Sequence, residues 1–449
     1  MKIPVIQLTD KLPMFSQSPR SFTKFLIEKT REHFYYSNYT NGIYDEQMTP
    51  ISKEVVPDDI YFEAVSHTRT LSKSKSPSWI RVLLGHACNY SCDYCLQKDI
   101  GNPEERAKIT TTEKFIDQLS TLDLTKVSKI DLWGGETLLY WKTIVPIMQA
   151  FDRPGLKWYI PTNGTPLMMK HAEFFSTLQG TVEIGISHDG PAHTLLRGPE
   201  FLHKKVEVLK AFQASKNIRF SFNPTISNTN FDFFEINKFF YNFCIDNGLD
   251  PTKTGLGYTI LYNHDYENTH NSANHVIQGT QLIEFRRVMK EYMRANTRQF
   301  LFGESLNLLK NDLYTGGMGV LPYAQTLKEQ VLPAVTTTCG VDDEDVLSVD
   351  IAGNVRTCPH VDESFISGTV EEIENVRIKN VVLDRYETHC DTCPVYRLCK
   401  STCPIDVPKD VFFSNCAISK IWYGGIQEEA FRISFNSEIR NISDNVSGN

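Results

Sequence analysis

Arg81-Val-Leu-Leu-Gly-His-Ala-Cys88-Asn-Tyr-Ser-Cys92-Asp-Tyr-Cys95-Leu96 decides how this chain is read: an apolar run of strand character passes directly into a loop carrying three cysteines. Thiolates at C-x3-C-x2-C spacing can hold three irons of a cubane iron–sulfur cluster, where four cysteines are usual, so the fourth iron is left without a protein ligand. An open coordination position separates a catalytic metal site from a closed structural one. Taken alone, the three cysteines also fit part of a zinc site, or no site at all.

Working outward, the 449 residues suffice for two or three domains and a sizeable core. A hydrophobic fraction of 41% and a charged fraction of 22% describe an ordinary globular protein. The net charge of −8 and the lack of a long basic run give no support to a nucleic-acid footprint, and no nucleic-acid partner is expected. Met1–Asp10 is too short and polar for the apolar region of a signal peptide, and no stretch approaches the ~18 apolar residues of a membrane span. The expectation is a cytoplasmic protein with no membrane partner. In a reducing compartment, eleven cysteines argue for metal binding or catalysis over disulfides. Ten fall into two spaced groups; the eleventh, Cys244, sits in the aromatic stripe Phe239-Phe-Tyr-Asn-Phe-Cys-Ile245 and reads as a buried core thiol.

Four regions emerge. Residues 1–79 form an N-terminal extension. Within it Phe22, Phe25, Leu26 and Ile27 predict a helical stripe, and Ser72-Lys-Ser-Lys-Ser-Pro-Ser78 reads as a polar linker. Residues 80–300 repeat strand, loop and helix, with strands at Ile80–Leu84, Lys129–Trp133, Lys157–Pro161, Val182–Ser187, Ile218–Thr225 and Leu256–Leu261. A helix opens on the capping pattern Thr110-Thr-Thr-Glu113 and another runs from Phe231 to Asn247, stopped by Gly248. Six β/α units in series predict an α/β fold, a partial (β/α)6 barrel with its chemistry at the C-terminal ends of the strands. Residues 301–335 are a connection passing through Tyr314-Thr-Gly-Gly-Met-Gly319, and residues 336–449 are a second, cysteine-rich domain.

Three strand ends carry polar clusters. In Asp131-Leu-Trp-Gly134-Gly135-Glu136 the glycines allow close backbone approach to a ligand, and the carboxylate can accept hydrogen bonds from an ammonium. By itself such a run is more often a turn than a site. Pro161-Thr-Asn163-Gly164 and Ile186-Ser187-His188-Asp189-Gly190 suit a ribose or a carboxylate, with His188 and Asp189 either facing substrate or serving as a satisfied loop histidine and a turn aspartate. In the C-terminal region Cys339 is followed by Gly353 and Cys358, then by Cys390-x2-Cys393-x5-Cys399-x3-Cys403 and an isolated Cys416. A lone C-x2-C would suggest zinc.

Together the motifs, over residues 80–416, resemble the radical S-adenosylmethionine (SAM) enzymes extended by a SPASM domain. The first cysteine loop matches their signature with Tyr94 as its aromatic. The resemblance implies that SAM chelates the open iron through its amino and carboxylate groups, and that one electron then releases a 5′-deoxyadenosyl radical, which abstracts hydrogen. It implies that Gly134, Gly135 and Glu136 bind the SAM amino group, that Asn163 and Ser187 line its pocket, and that Arg197 pairs with its carboxylate. The seven C-terminal cysteines resemble those of the SPASM domain, which holds two auxiliary clusters, making three 4Fe-4S clusters in all. Cys390, Cys393, Cys399 and Cys416 would surround one. Cys339, Cys358 and Cys403 would hold the other, whose fourth iron is left open to substrate or taken by Asp342, Asp343 or His360. Anaerobic sulfatase maturases carry an aspartate directly after the second SPASM cysteine; here Pro359 stands there and cannot take a proton.

The family implies a maturase acting on a ribosomally made precursor peptide, forming a carbon–carbon, ether or thioether crosslink, with an electron donor such as flavodoxin or ferredoxin. The alternatives are sulfatase-type maturation, dehydrogenation of a small alcohol, and a non-enzymatic zinc- or cluster-bearing scaffold.

Overall fold

The computed structural model describes residues 22–38, 42–47, 49, 71–98, 109–263, 271–329, 337–382, 390, 393–400, 402–405 and 407–441. The opening decapeptide and the 331–336 stretch lie outside them, and of Thr110 the backbone alone is described.

The chain opens on an antiparallel hairpin of β1 (Phe22–Ile27) and β2 (Glu32–Ser37), continued by the short β3 (Ile43–Tyr44). The helical stripe expected over Phe22–Ile27 is therefore a strand. A helix of six residues is not stable by itself, whereas aromatic and β-branched residues suit a pleated, half-buried surface. Phe25 lies opposite Phe34 in the ladder, their rings stacked at 5.1 Å.

From Trp79 the chain alternates as expected. Strands β4 (Trp79–Leu83), β5 (Lys129–Trp133), β6 (Lys157–Thr162), β7 (Thr181–Ile186), β8 (Ile218–Phe222) and β10 (Thr254–Leu256) are parallel neighbours in sequence order. Between or after them run α1 (Ile109–Leu119), α2 (Trp141–Phe151), α3 (Met169–Ser176), α4 (Val206–Ala214) and α5 (Phe233–Asp246). Helix α5 starts where Asp232 accepts from the N–H groups of Phe234 and Glu235, and just beyond its end Gly248 takes φ +66°. The last two expected strands are each interrupted, leaving the two-residue pieces β9 (Thr225–Ile226) and β11 (Thr259–Ile260) paired with each other at the rim. Cys244 is fully buried, its thiol 3.6 Å from Thr254 Oγ1, a core position as expected.

After α6 (Gln281–Phe302), β12 (Lys310–Asn311) closes one side of the sheet, and the turn-rich connection ends in a helix, α7 (Val320–Glu329). The opposite side is not an edge. β13 (Val346–Asp350) lies parallel to β4, with Val349 beside Val82, and the sheet continues antiparallel through β14 (Asn354–Arg356) and β15 (Ile366–Thr369) to ten strands. A barrel strand as buried as β4 would otherwise leave a row of backbone donors and acceptors unpaired. The 72–78 run is docked as well: Lys73 donates to the carbonyls of Val341 at 2.8 Å and Asp343 at 2.7 Å.

The 27-residue α8 (Lys409–Phe435) packs along α6 and α7, and β16 (Ile439–Asn441) then pairs with β1. Phe431 fills the space between helix and hairpin, 5.0 Å from Phe25, 5.5 Å from Phe34 and 5.4 Å from Tyr36. Both ends of the described chain thus share one sheet. Among the described residues no helix is long and apolar enough to cross a membrane.

Candidate active site and cysteine cavity

The cysteine loop leaves the C-terminal end of β4, where parallel strands of an α/β sheet present their ligands. It is held there by the glutamate turn that ends β5. Gly135 donates its N–H to the Gly85 carbonyl at 2.9 Å, Glu136 donates to Ala87 at 2.8 Å, and the Ala87 N–H reaches the Tyr140 hydroxyl at 2.6 Å. A Cβ on Gly135 would fall 2.6 Å from the Ala87 carbonyl oxygen, so only glycine lets the two turns touch.

Glu136 itself is turned inward. Its Oε1 accepts from Leu138 N at 2.9 Å and Thr162 Oγ1 at 2.7 Å, and its Oε2 accepts from Asn163 N at 2.5 Å. Burial pushes the carboxyl up to about 7 against these three donors. The group expected to face an ammonium is instead a staple joining the ends of β5 and β6. What it positions is Asn163, whose amide donates to Asn89 Oδ1 at 2.8 Å and lies 3.9 Å from the Cys88 sulfur. Ser187 is half-buried at the next strand end, its N–H on the Thr162 carbonyl at 2.7 Å.

Cys88, Cys92 and Cys95 are all half-buried, and none is in a disulfide. The Tyr90 N–H closes a turn onto the Cys88 sulfur at 3.4 Å. Tyr94 points into the protein, and its hydroxyl donates to Asp189 Oδ2 at 2.6 Å. The same oxygen receives Arg197 Nε at 2.9 Å, while Asp189 Oδ1 receives Thr225 N at 2.7 Å. Arg197 reaches Thr225 Oγ1 at 2.9 Å through Nη2, and its guanidinium lies 5.5 Å from the centre of the Tyr94 ring. Two of its donors are therefore already engaged, and the free fork expected for a ligand carboxylate is turned toward Asp189. Burial pushes the Cys92 thiol up to about 12, opposed by the Arg197 charge.

Asp189, read from sequence as a turn or substrate-facing residue, is a fully buried hub. His188 is equally buried: its Nε2 sits 3.0 Å from Glu200, and its Nδ1 accepts from Gly190 N at 3.1 Å. Thr162, Tyr140 and Thr225 are the partners that sequence reading missed. A small polar residue at a strand end carries no signal until its neighbour strand is known.

The C-terminal cysteines separate into two places. Cys399 is pushed up by burial and then by the charges of Cys393, Cys416 and Cys390, so these four share one locality, with Cys416 supplied by α8. Cys339, Cys358 and Cys403 line a cavity of about 290 Å³ together with His360, Tyr262 and Leu96. Leu96 directly follows Cys95, and Gln97 Nε2 donates to the Pro359 carbonyl at 3.1 Å, so this cavity adjoins the first cysteine loop. Asp342 and Asp343 are not on its wall.

Among the described residues no three His, Cys, Asp or Glu side chains are arranged to hold a single metal ion. The donor set nonetheless fits iron–sulfur clusters. No cysteine is tied up in a disulfide, and although burial pushes the thiols up, a cation opposes it in each group: Arg197 at Cys92, Arg81 and Arg356 at Cys358, and Lys420 at Cys393 and Cys416.

Residues 82–229 match the family model described as the Radical SAM superfamily. The radical SAM cyclopropyl synthase TigE of Paramaledivibacter caminithermalis is 25% identical over 174 residues, a span covering 34% of this chain and only 36% of that protein. The solved structure of native anSMEcpe with bound AdoMet and Cp18Cys peptide aligns with TM-score 0.56 at 17% identity, over 80% of this chain and 99% of that one. SuiB of Streptococcus suis aligns with TM-score 0.50 at 13% identity, over 86% of this chain and 95% of that one. The parallel sheet, the cysteine loop at the end of its first barrel strand and the family match identify residues 82–229 as a radical SAM domain.

Proposed function

We propose that this chain is a SPASM-type peptide maturase that oxidatively joins two atoms of a ribosomally made precursor peptide. The observation that carries the reading is the adjacency of two thiol sites: at the end of the first cysteine loop Leu96 lines the cavity of Cys339, Cys358 and Cys403, and Gln97 is tied to the Pro359 carbonyl between two residues of its wall. A bound four-iron cluster with SAM supplies hydrogen-atom abstraction driven by one-electron reduction. Cys88, Cys92 and Cys95 hold three irons and leave one for SAM. The backbone of Gly134–Glu136 and the side chains of Asn163 and Ser187 form the SAM wall. Asp189 fixes Tyr94 between two of the cysteines and braces Arg197, whose positive charge opposes the effect of burial on Cys92.

Cys390, Cys393, Cys399 and Cys416 would hold one auxiliary cluster and Cys339, Cys358 and Cys403 a second, which would supply an electron acceptor for the oxidation. The reductant is a flavodoxin or ferredoxin and the compartment is the cytoplasm. The compared anSMEcpe structure holds a bound peptide, which supports a peptide substrate, and the likeness to a cyclopropyl synthase favours a carbon–carbon bond among the crosslinks. Pro359, which cannot accept a proton, weighs against sulfatase-type maturation.

The test is the triple variant Cys88→Ala/Cys92→Ala/Cys95→Ala, reconstituted anaerobically. It should lose about four irons relative to wild type, the content of one cluster, and should form no deoxyadenosine from SAM while keeping the C-terminal iron. Unchanged iron content or undiminished deoxyadenosine would overturn the reading.

A further inference from the structure

The cavity of Cys339, Cys358 and Cys403 offers three thiols where a four-iron cluster has four irons to ligate. We propose that His360 supplies the fourth ligand, an imidazole in place of the missing thiolate; the inference rests on the reading that this cavity holds an iron–sulfur cluster.

Of the three residues that sequence placed in contention, only His360 is on the cavity wall. Asp342 is fully buried elsewhere, its Oδ1 accepting from both the N–H and the hydroxyl of Thr337 at 2.6 Å. Asp343 Oδ1 accepts from Asp345 N at 3.0 Å within its own turn. Among other wall residues, the Asp362 carboxylate caps the turn beyond it through Ser364 N at 2.7 Å, and the Tyr262 hydroxyl accepts from Ser419 at 3.0 Å.

His360 is also held in place for the task. Its backbone N–H donates to the Cys358 sulfur at 3.4 Å, the same i to i+2 closure that Tyr90 makes on Cys88 in the first cysteine loop. This closure fixes the His360 backbone beside a cavity thiol. On its other side the ring meets Trp133 edge to face, centroids 4.7 Å apart at 84°. Trp133 ends β5 and immediately precedes Gly134, so His360 stands between the auxiliary cavity and the glutamate turn of the first site.

The chemistry gives the substitution a consequence. A neutral imidazole replacing an anionic thiolate makes the cluster less negative and raises its reduction potential, as histidine ligation does in Rieske centres. A raised potential suits a cluster that must accept an electron. Closing a C–X bond from C–H and X–H removes two hydrogens' worth of electrons: one hydrogen atom leaves to the SAM-derived carbon radical, one proton leaves to solvent, and the remaining electron goes to the oxidised auxiliary cluster.

The experiment uses the full chain carrying Cys88→Ala/Cys92→Ala/Cys95→Ala, so that only C-terminal clusters remain, reconstituted anaerobically with and without ¹⁵N-histidine. Pulsed electron paramagnetic resonance of the reduced protein should show a directly coordinated nitrogen whose coupling changes with the label. That coupling should vanish in His360→Ala and in His360→Cys, while His360→Cys keeps about eight irons and one reduction potential moves down. The labelled parent needs no substitution at 360, so a folding defect in His360→Ala does not blunt the test. Full iron content without histidine coupling, or coupling that survives His360→Cys, overturns this inference alone. Absence of C-terminal iron overturns the cluster reading and this inference with it.

Discussion

The buried hub at Asp189 permits a test in which the ordering of three proteins decides the matter. Asp189 is fully buried and receives three donors, Tyr94 Oη, Arg197 Nε and Thr225 N, at 2.6, 2.9 and 2.7 Å. Asp189→Ala leaves the Arg197 guanidinium, whose side chain is 11% exposed, without its carboxylate. Breaking a buried ion pair from one side costs about 3–5 kcal/mol, and each buried neutral donor left unpaired adds about 1–3 kcal/mol. The single variant should therefore lose at least about 5 kcal/mol, a large share of a typical domain's stability. In Asp189→Ala/Arg197→Met the stranded charge is gone, and about 3 kcal/mol should return. The assay is the thermal midpoint of apo-protein, with iron loading after anaerobic reconstitution as a second readout, because Tyr94 lies between Cys92 and Cys95. The expected order in both is wild type, then double variant, then Asp189→Ala. A double variant melting at or below the single one would refute the argument that Asp189 neutralises a buried guanidinium.

Gly135→Ala would put a Cβ 2.6 Å from the Ala87 carbonyl and should displace the cysteine loop, lowering iron by about four per chain while the C-terminal iron stays; full loading would show that the two turns can separate freely. Burial acts to raise the Glu200 carboxyl, but the His188 hydrogen bond and nearby backbone donors win and hold it down at about 2, against a usual 4.5. A depressed carboxyl contributes stability above its unfolded value that is lost as pH falls through the folded one, so wild type should weaken between pH 4.5 and 2 and Glu200→Gln should flatten that limb; parallel curves would remove Glu200 from the acid response. Phe431→Ala empties the space against Phe25, Phe34 and Tyr36 and should cost about 3–5 kcal/mol, exposing the turn at Glu28–Arg31 to proteolysis; an uncleaved turn would show that the hairpin holds without the helix.

The central sheet and its thiols were legible before any coordinates. Strand, loop and helix repeat with local periods, and a cysteine's chemistry is written in its identity and spacing, so β4 to β8, α5 and the C-x3-C-x2-C loop follow from residues close together in sequence. The segment Phe22–Ile27 was not legible: its apolar residues allow either period, and it becomes a strand because Phe34 lies across the ladder from Phe25 and Phe431, some four hundred residues later, packs on both. The Ser72–Ser78 run likewise has the composition of a linker, and only the carbonyls of Val341 and Asp343 make Lys73 a buried anchor.

At the site, sequence named Glu136, Arg197 and Asp189 but not where they point. A carboxylate or guanidinium carries the same charge whether it faces a ligand or a neighbouring strand. The ends of β5, β6, β7 and β9 assign Glu136 to Leu138, Thr162 and Asn163, and Arg197 to Asp189 and Thr225. The same holds for Asp342, Asp343 and His360, which sequence left equivalent. Spacing determines which donors can reach a metal site in principle; the wall of a 290 Å³ cavity, assembled from segments far apart in the chain, decides that His360 alone of the three stands beside Cys339, Cys358 and Cys403.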